Sequence, residues 1–292
     1  MKVKDNILDS LKNDFGFSEI INNDSNNFTN RSTIHRYRQL LEGNFKSIAL
    51  NYLMNYKNFN LEDSKNISYF NKQKIAVKER YLSKYNELID NKTIKIKNNF
   101  RTKLLRMLKN RQSIRKFYKT SLSKKTFDKS ISVLLNTKRM QLFDDYYIPS
   151  RGYASGGGLY SIDVYLLILN VKDIPRGIYK LQVESETLRL IRKIDFEIDK
   201  LFLDNISNYK DSSYIIYYVY DFSKLYPKYG ELSLYLALVE VGEMAQLIDL
   251  SMVDVGLCGF QSGSFNKKYI ESIIGIDGIT EHVIHSQLVG VK

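Results

Sequence analysis

A chain of 292 residues, 43% hydrophobic and 26% charged, has the composition of a globular protein and can form one large domain or a core domain with an extension. Its formal net charge of +12 favours anionic substrates or polyanionic partners, although a generally Lys- and Asn-rich composition accounts for it equally well. The basic residues are scattered, with no compact Lys/Arg block, zinc-ligand spacing or RNA-binding aromatic signature, which counts against nucleic-acid binding.

The single cysteine, Cys258, excludes an intramolecular disulfide framework and fits a reducing cytosol. The opening Met1-Lys2-Val3-Lys4-Asp5-Asn6 lacks the apolar core of a signal peptide. No stretch reaches the roughly 18 apolar residues of a membrane span. In the closest, residues 232–255, Glu240, Glu243, Asp249 and Asp254 interrupt the run. These features predict a soluble, cytoplasmic protein without a membrane partner.

Residues 1–98 are rich in Asn, Lys and Tyr and carry short helical patterns at 32–41 and 75–88, with period-two alternation at 93–97. They read as a small, mainly helical accessory region for substrate or partner contacts, ahead of a second domain at 99–292. There, helical spacing returns at 100–109 and 123–135. The apolar run 163–171 suits a buried strand, 177–181 with 187–190 a hairpin pair, and 213–220 a strongly β-biased strand. Residues 231–255 are apolar nearly all round and predict a central buried helix, with Gly256 as its C-terminal cap. Residues 282–291 close the chain as a strand, giving an α+β sandwich.

Four segments carry candidate chemistry. In Arg111-Gln112-Ser113-Ile114-Arg115, two guanidiniums and a hydroxyl recur at every second residue, so an extended backbone projects them to one side. Guanidinium forks match phosphate geometry; a solvated basic turn has the same spacing. In Tyr153-Ala154-Ser155-Gly156-Gly157-Gly158-Leu159-Tyr160, the glycines are costly in chain entropy unless backbone must approach something closely, such as a flat ring or phosphate. A flexible loop is the alternative, and no Rossmann arrangement surrounds it. Pro227-Lys228-Tyr229-Gly230-Glu231 offers an acid–base pair ahead of the long helix, or a loop lysine beside a packing tyrosine. Gly259-Phe260-Gln261-Ser262-Gly263-Ser264-Phe265 is a further Gly/Ser loop. His282, His285 and Cys258 read as packing or surface residues, and no metal-ligand spacing is present.

In this order the four segments resemble the nitroreductase superfamily, and within it the SagB-type dehydrogenases of azole-containing peptide biosynthesis, over roughly residues 95–292. Arg111, Ser113 and Arg115 match the family's Arg-x-Ser-x-Arg, which holds the FMN phosphate and ribityl chain. Ser155, Gly156, Gly157 and Gly158, continuing to Tyr160, match its Pro-Ser-x-Gly-x-Leu-Tyr loop, which lies against the flavin of the neighbouring subunit. Lys228-Tyr229-Gly230-Glu231 and residues 237–246, ending at Gln246, are similar to its Lys/Arg-Tyr-Gly-Glu and Ala-Leu-x-Glu-x-Gly-x-x-Ala-Gln. Gln261, Ser262 and Gly263 fall in the loop beside the flavin. The chain departs from the pattern at Ala154 (usually Pro), Glu243 (His in many relatives) and Leu247 (Asn in many).

The resemblance implies a nitroreductase-like FMN-binding fold: a central, mostly antiparallel sheet flanked by helices, with a long buried helix at the interface of a homodimer. It implies oxidation of thiazoline or oxazoline rings in a precursor peptide, in company with a cyclodehydratase complex, with Lys228 and Tyr229 carrying proton transfer. Two rival readings are an NAD(P)H-dependent nitro or quinone reductase on the same scaffold and a non-catalytic scaffold subunit that holds an acidic leader peptide.

Overall fold

A computed structural model of the chain describes residues 46–56, 92–97, 102–143, 146–202 and 209–292. The helical patterns at 32–41 and 75–88 lie outside these residues. The chain divides into two compact units, residues 59–110 and residues 1–58 with 111–292. Helix α1 (Ile48–Tyr56) belongs to the larger unit. The smaller unit contains helix α2 (Lys103–Asn110), which overlaps the predicted 100–109 and ends one residue later. Residues 93–97 join no sheet, and Ile94 and Ile96 are exposed.

In the larger unit, α3 (Lys124–Ile131) begins where Ser123 accepts a hydrogen bond from the Thr126 backbone N–H, the capping interaction that satisfies an orphan donor of the first turn. Strands β1 (Asn136–Phe143) and β2 (Tyr146–Arg151) form a separate antiparallel pair that the sequence pattern did not announce. The main sheet comprises β3 (Ile162–Ile168), β4 (Gly177–Gln182), β5 (Thr187–Lys193), β6 (Tyr214–Asp221), β7 (Cys258–Ser262) and β8 (Glu281–Gly290). Its order is β5-β4-β3-β6-β8-β7, and every pairing is antiparallel.

Strand β6 lies inside that order and all its residues are buried. Side chains of a strand alternate between faces, and here each face feeds a different core. Tyr214, Ile216, Tyr218 and Tyr220 pack with α3 and with helices α4 (Phe222–Tyr229) and α5 (Leu232–Asp254). Ile215, Tyr217 and Val219 pack on the opposite side with α6 (Lys267–Ile274) and with Phe117 and Phe260. The result is a three-layer α/sheet/α unit. No helix among the described residues is long and apolar enough to cross a membrane.

Lys228 and Tyr229, for which a loop was the alternative reading, close the last turn of α4; Asp221 caps its start by accepting from the Ser223 N–H, and Pro227 inside it disguised the pattern. Two expectations are corrected. Residues 258–262 are the edge strand β7, and the Gly/Ser loop begins only after it. Helix α5 is not buried all round. Ala237, Val241, Met244, Ala245 and Ile248 face the core, whereas Leu232, Tyr235, Leu238 and Val239 form an exposed apolar face. Gly256, at φ 75°, closes α5 as expected.

Gly259 is where the sheet meets the Arg111 segment: the Ile114 N–H donates to the Gly259 carbonyl at 2.9 Å, and Ser113 bridges to Gly259 in parallel. A Cβ on Gly259 would lie 2.1 Å from the Leu288 carbonyl oxygen and 2.8 Å from the Met252 sulfur. Replacing Gly259 with Ala therefore overpacks the β7/β8 edge. A loss of about 1–3 kcal/mol in denaturant unfolding is expected; unchanged stability would show that the edge can relax.

Candidate functional site

The site is assembled around Glu240, a carboxylate 1% exposed on the sheet-facing side of α5. Its Oε2 accepts from the Ser155 hydroxyl at 2.8 Å, the Ser161 N–H at 3.3 Å and the Ser161 hydroxyl at 3.2 Å. Its Oε1 accepts from the Ile162 N–H at 3.4 Å. Burial, opposed by these donors, pushes the carboxyl above its usual range. One turn on, Glu243 accepts from the Ala154 N–H at 2.7 Å. Two carboxylates of one helix thus pin the Ser155 loop. Ser155 is a structural link in that network, since its hydroxyl also accepts from the Tyr160 N–H at 2.8 Å.

Within the pinned loop, Gly156–Gly158 form a single 3-10 turn in which Gly157 and Gly158 have φ of 62° and 67°. Such left-handed backbone is open to glycine at little cost. A Cβ on Gly157 would lie 2.8 Å from the Tyr229 hydroxyl and 2.9 Å from the Lys228 Nζ. Both head groups of the predicted acid–base pair therefore converge on one bare backbone surface, and the Lys228 Nζ lies 5.2 Å from the Tyr229 ring centroid. Two motifs about 70 residues apart in sequence, one in a turn and one at a helix end, meet here on a polar, part-exposed surface.

The Arg111 segment lies at the β7 edge. The Arg111 Nη1 sits 3.4 Å from the Ser113 Oγ and 3.8 Å from Asp249 Oδ2. Asp249, buried on α5, accepts from the side-chain amides of Gln261 at 3.1 Å and Gln287 at 2.6 Å. Burial raises its pKa, and those amides together with Arg111 oppose the shift. The amide of Gln261 is committed at both ends, since its carbonyl oxygen pairs with the His285 Nε2 at 3.1 Å. Burial lowers the His285 pKa and favours the neutral imidazole, whose Nε2–H is then the donor. Arg115 is separate: its guanidinium lies 5.3 Å from the ring centroid of Phe260, whose side chain belongs to the opposite core layer. Arg111 and Ser113 together present donors suited to an oxyanion.

Of the remaining sequence candidates, Ser262 is buried, its hydroxyl accepting from the Ser264 N–H at 3.2 Å, and the Gly263 carbonyl accepts from the Tyr56 hydroxyl at 3.0 Å. Gln246 joins Gly152, Tyr153, Val239, Gly242, Glu243 and Leu247 around an open depression of about 460 Å³. His282 is buried beside Lys267 and Glu271 and serves the core. Asp163, Asp221 and Glu281 approach one another within 4.8 Å, but Lys180 and Lys224 pair with Asp163 at 2.8 and 2.6 Å, so the group reads as an ion-pair cluster. Glu240, Asp249, Glu231 and Tyr56 were not singled out from the sequence as site residues. For Glu240 and Asp249 the legible signal was an acidic residue inside an otherwise apolar helix.

Residues 108–291 match the model of the Nitroreductase family. In structure, the chain resembles the Escherichia coli microcin synthetase McbBCD complex with truncated pro-MccB17 bound, at a TM-score of 0.53 and 20% identity, over 72% of this chain and 80% of that one. A protein of Ralstonia eutropha named as a nitroreductase aligns at a TM-score of 0.54 and 19% identity, over 68% and 87%. Another named so from Anabaena variabilis aligns at 0.52 and 20%, over 64% and 38%. No curated protein matches in sequence.

Removing the Glu240 carboxylate strands buried donors. Glu240→Ala is expected to cost on the order of 3 kcal/mol in denaturant unfolding and to speed tryptic cleavage after Arg151, while Glu240→Gln costs less. Wild-type cleavage kinetics in the alanine variant would show that Glu240 does not hold the loop.

Proposed function

The chain belongs to the nitroreductase family, and within it we propose an FMN-dependent dehydrogenase that oxidises thiazoline or oxazoline rings of a ribosomally made peptide to thiazoles or oxazoles. The observation that carries this reading is the convergence of the Lys228 Nζ and the Tyr229 hydroxyl on the Gly157 backbone. A reductase needs only an open flavin face, whereas a Lys–Tyr pair aimed at one point is suited to moving a proton. Similarity in fold to a synthetase complex solved with a pro-peptide bound is in keeping with a peptide substrate.

The residues fit the cofactor. Arg111 and Ser113 would hold its phosphate from neighbouring donors. Arg115, which lies over Phe260, stands apart from them. Gly158, where a Cβ would meet nothing within 4 Å among the described residues, leaves open backbone for a flat ring. Gln246, which lines the open depression, and the β7 end at Gln261, Ser262 and Gly263 would frame it. Aromatisation removes two hydrogens from the ring, one as a proton to a base and one with its electron pair, for which FMN, when bound, would supply the acceptor. The proton comes from the ring carbon acidified by its carbonyl and imine neighbours. One member of the Lys228–Tyr229 pair takes it, and the other holds the substrate carbonyl.

The exposed apolar face of α5, with Tyr235 63% and Leu232 53% exposed, is assigned to a second copy of the chain, giving a homodimer in which each flavin site borders the partner. A cyclodehydratase complex would supply the azoline peptide.

The purified protein is expected to be yellow, with an FMN absorbance spectrum. Lys228→Ala and Tyr229→Phe should each slow azoline oxidation about 100-fold or more while keeping that spectrum. Arg111→Ala should instead weaken FMN binding about tenfold to a hundredfold, the size of one charge-assisted contact. Full azoline turnover in both Lys228 and Tyr229 variants, measured by the mass loss of the peptide, would sink the assignment.

A further inference from the structure

The Lys228–Tyr229 pair sits just before Gly230, whose φ of 53° places the junction of α4 and α5 in a conformation with wide backbone freedom. Local bonds only partly fix the turn: the Gly230 N–H donates to the Tyr226 carbonyl at 2.8 Å and the Ser233 N–H to the Gly230 carbonyl at 3.0 Å. The next residue, Glu231, ties the junction to a distant part of the chain. Its Oε1 accepts from the Tyr226 hydroxyl on α4 at 3.1 Å, and its Oε2 accepts from the Ala49 N–H at the start of α1 at 2.8 Å, across 182 residues of sequence.

Helix α1 is capped from two sides. Ser47 accepts from the Leu50 N–H at 3.1 Å, as an N-cap serine does. The Glu231 carboxylate accepts from the Ala49 and Ile48 N–H groups, so the group that completes the cap also links α1 to the α4–α5 junction. The far end of α1 is fastened too: the Tyr56 hydroxyl donates to the Gly263 carbonyl at 3.0 Å, and its ring packs edge-on to Phe265 at 6.4 Å. Between the ends, Ala49 and Leu53 are buried against the unit, Leu53 in the core that α4 and α5 share. A nine-residue helix spans about 13 Å, so α1 is a rigid strap from the Lys228–Tyr229 turn to the loop after β7.

We propose that Glu231 is a positioning residue that acts through α1 to hold Lys228 and Tyr229 in register over the Gly157 surface, so that the strap sets the geometry of proton transfer. The proposal rests on Lys228 and Tyr229 being the acid–base pair. It predicts that α1 affects the reaction through the placement of Lys228 and Tyr229.

The test uses the full chain and the variants Glu231→Ala, Glu231→Gln and the milder Ser47→Ala, with three readouts. Hydrogen exchange reports α1, saturating turnover on an azoline peptide reports chemistry, and amine labelling of Lys228, followed by peptide mass mapping against Lys172 as internal reference, reports the turn. Glu231→Ala should lose protection at residues 48–51, lower kcat about fivefold or more, the size of one lost cap, leave KM and the flavin spectrum near wild type, and change the Lys228 labelling rate severalfold. Glu231→Gln, which keeps one acceptor oxygen, should recover part of each effect. Lost protection with unchanged kcat and unchanged Lys228 labelling would make Glu231 a structural cap only, and intact protection would remove the clamp; either overturns the proposal. If Glu231→Ala does not fold, the Gln and Ser47 variants decide by the same readouts. If the wild-type protein binds FMN yet leaves azolines untouched, the functional reading fails separately, and Lys228 labelling alone decides whether Glu231 positions the turn.

Discussion

The site depends first on a carboxylate that cannot leave. Burying a charge costs several kcal/mol unless its lone pairs are satisfied, and Glu240 is satisfied only while Ser155, Ser161 and the start of β3 stay where they are. A 23-residue apolar helix on a sheet fixes nothing about the loop beyond it, because dispersion contacts are non-directional. Glu240 supplies the direction. It turns hydrophobic docking of α5 into a defined placement of Gly157, and Gly157 is the surface on which Lys228 and Tyr229 meet.

The Arg111 end follows a different logic. Asp249 is buried and both its oxygens are held by neutral amides, so it depends little on the loose 3.8 Å pairing with Arg111. The guanidinium keeps donors directed toward Ser113 and solvent. For an anion near this edge, attraction from Arg111 and repulsion from Asp249 would act together.

How much of this was legible in the sequence depends on whether one pattern dominated a segment. Strand β6 was legible because its aromatic and β-branched residues leave no helical reading, and the Ser123-capped helix because a hydroxyl preceded its first turn. Residues 258–262 were misread as loop because two glycines flank the strand or lie in it, and only the sheet shows that Gly259 is there to admit the Leu288 carbonyl. Helix α4 was hidden by Pro227 in its last turn. The motif order was legible and so was the pairing of Lys228 with Tyr229, but the grouping of Lys228 with Gly157, and the separation of Arg115 from Arg111, are tertiary facts that no spacing encodes. Glu231 has a place in a motif, but its partner in α1 lies too far away in sequence to be inferred.

Helix α5 brings these strands together, because its two faces are both apolar for different reasons. Periodicity could not separate them: a helix that is apolar all round reads as buried. The inner face packs on β6, and along it only Glu240 and Asp249 break the apolar run with a charge, the first holding the Ser155 loop and the second the amides of Gln261 and Gln287. On the outer face, Tyr235, Leu238 and Val239 continue helically through Gly242 to Gln246, so the exposed apolar stripe runs into the depression beside Tyr153 and Glu243. That continuity means the same helix that aims the glycine turn also forms the wall against which a second surface would close. A cofactor lying between them would have one side set by buried carboxylates and the other by whatever covers the stripe.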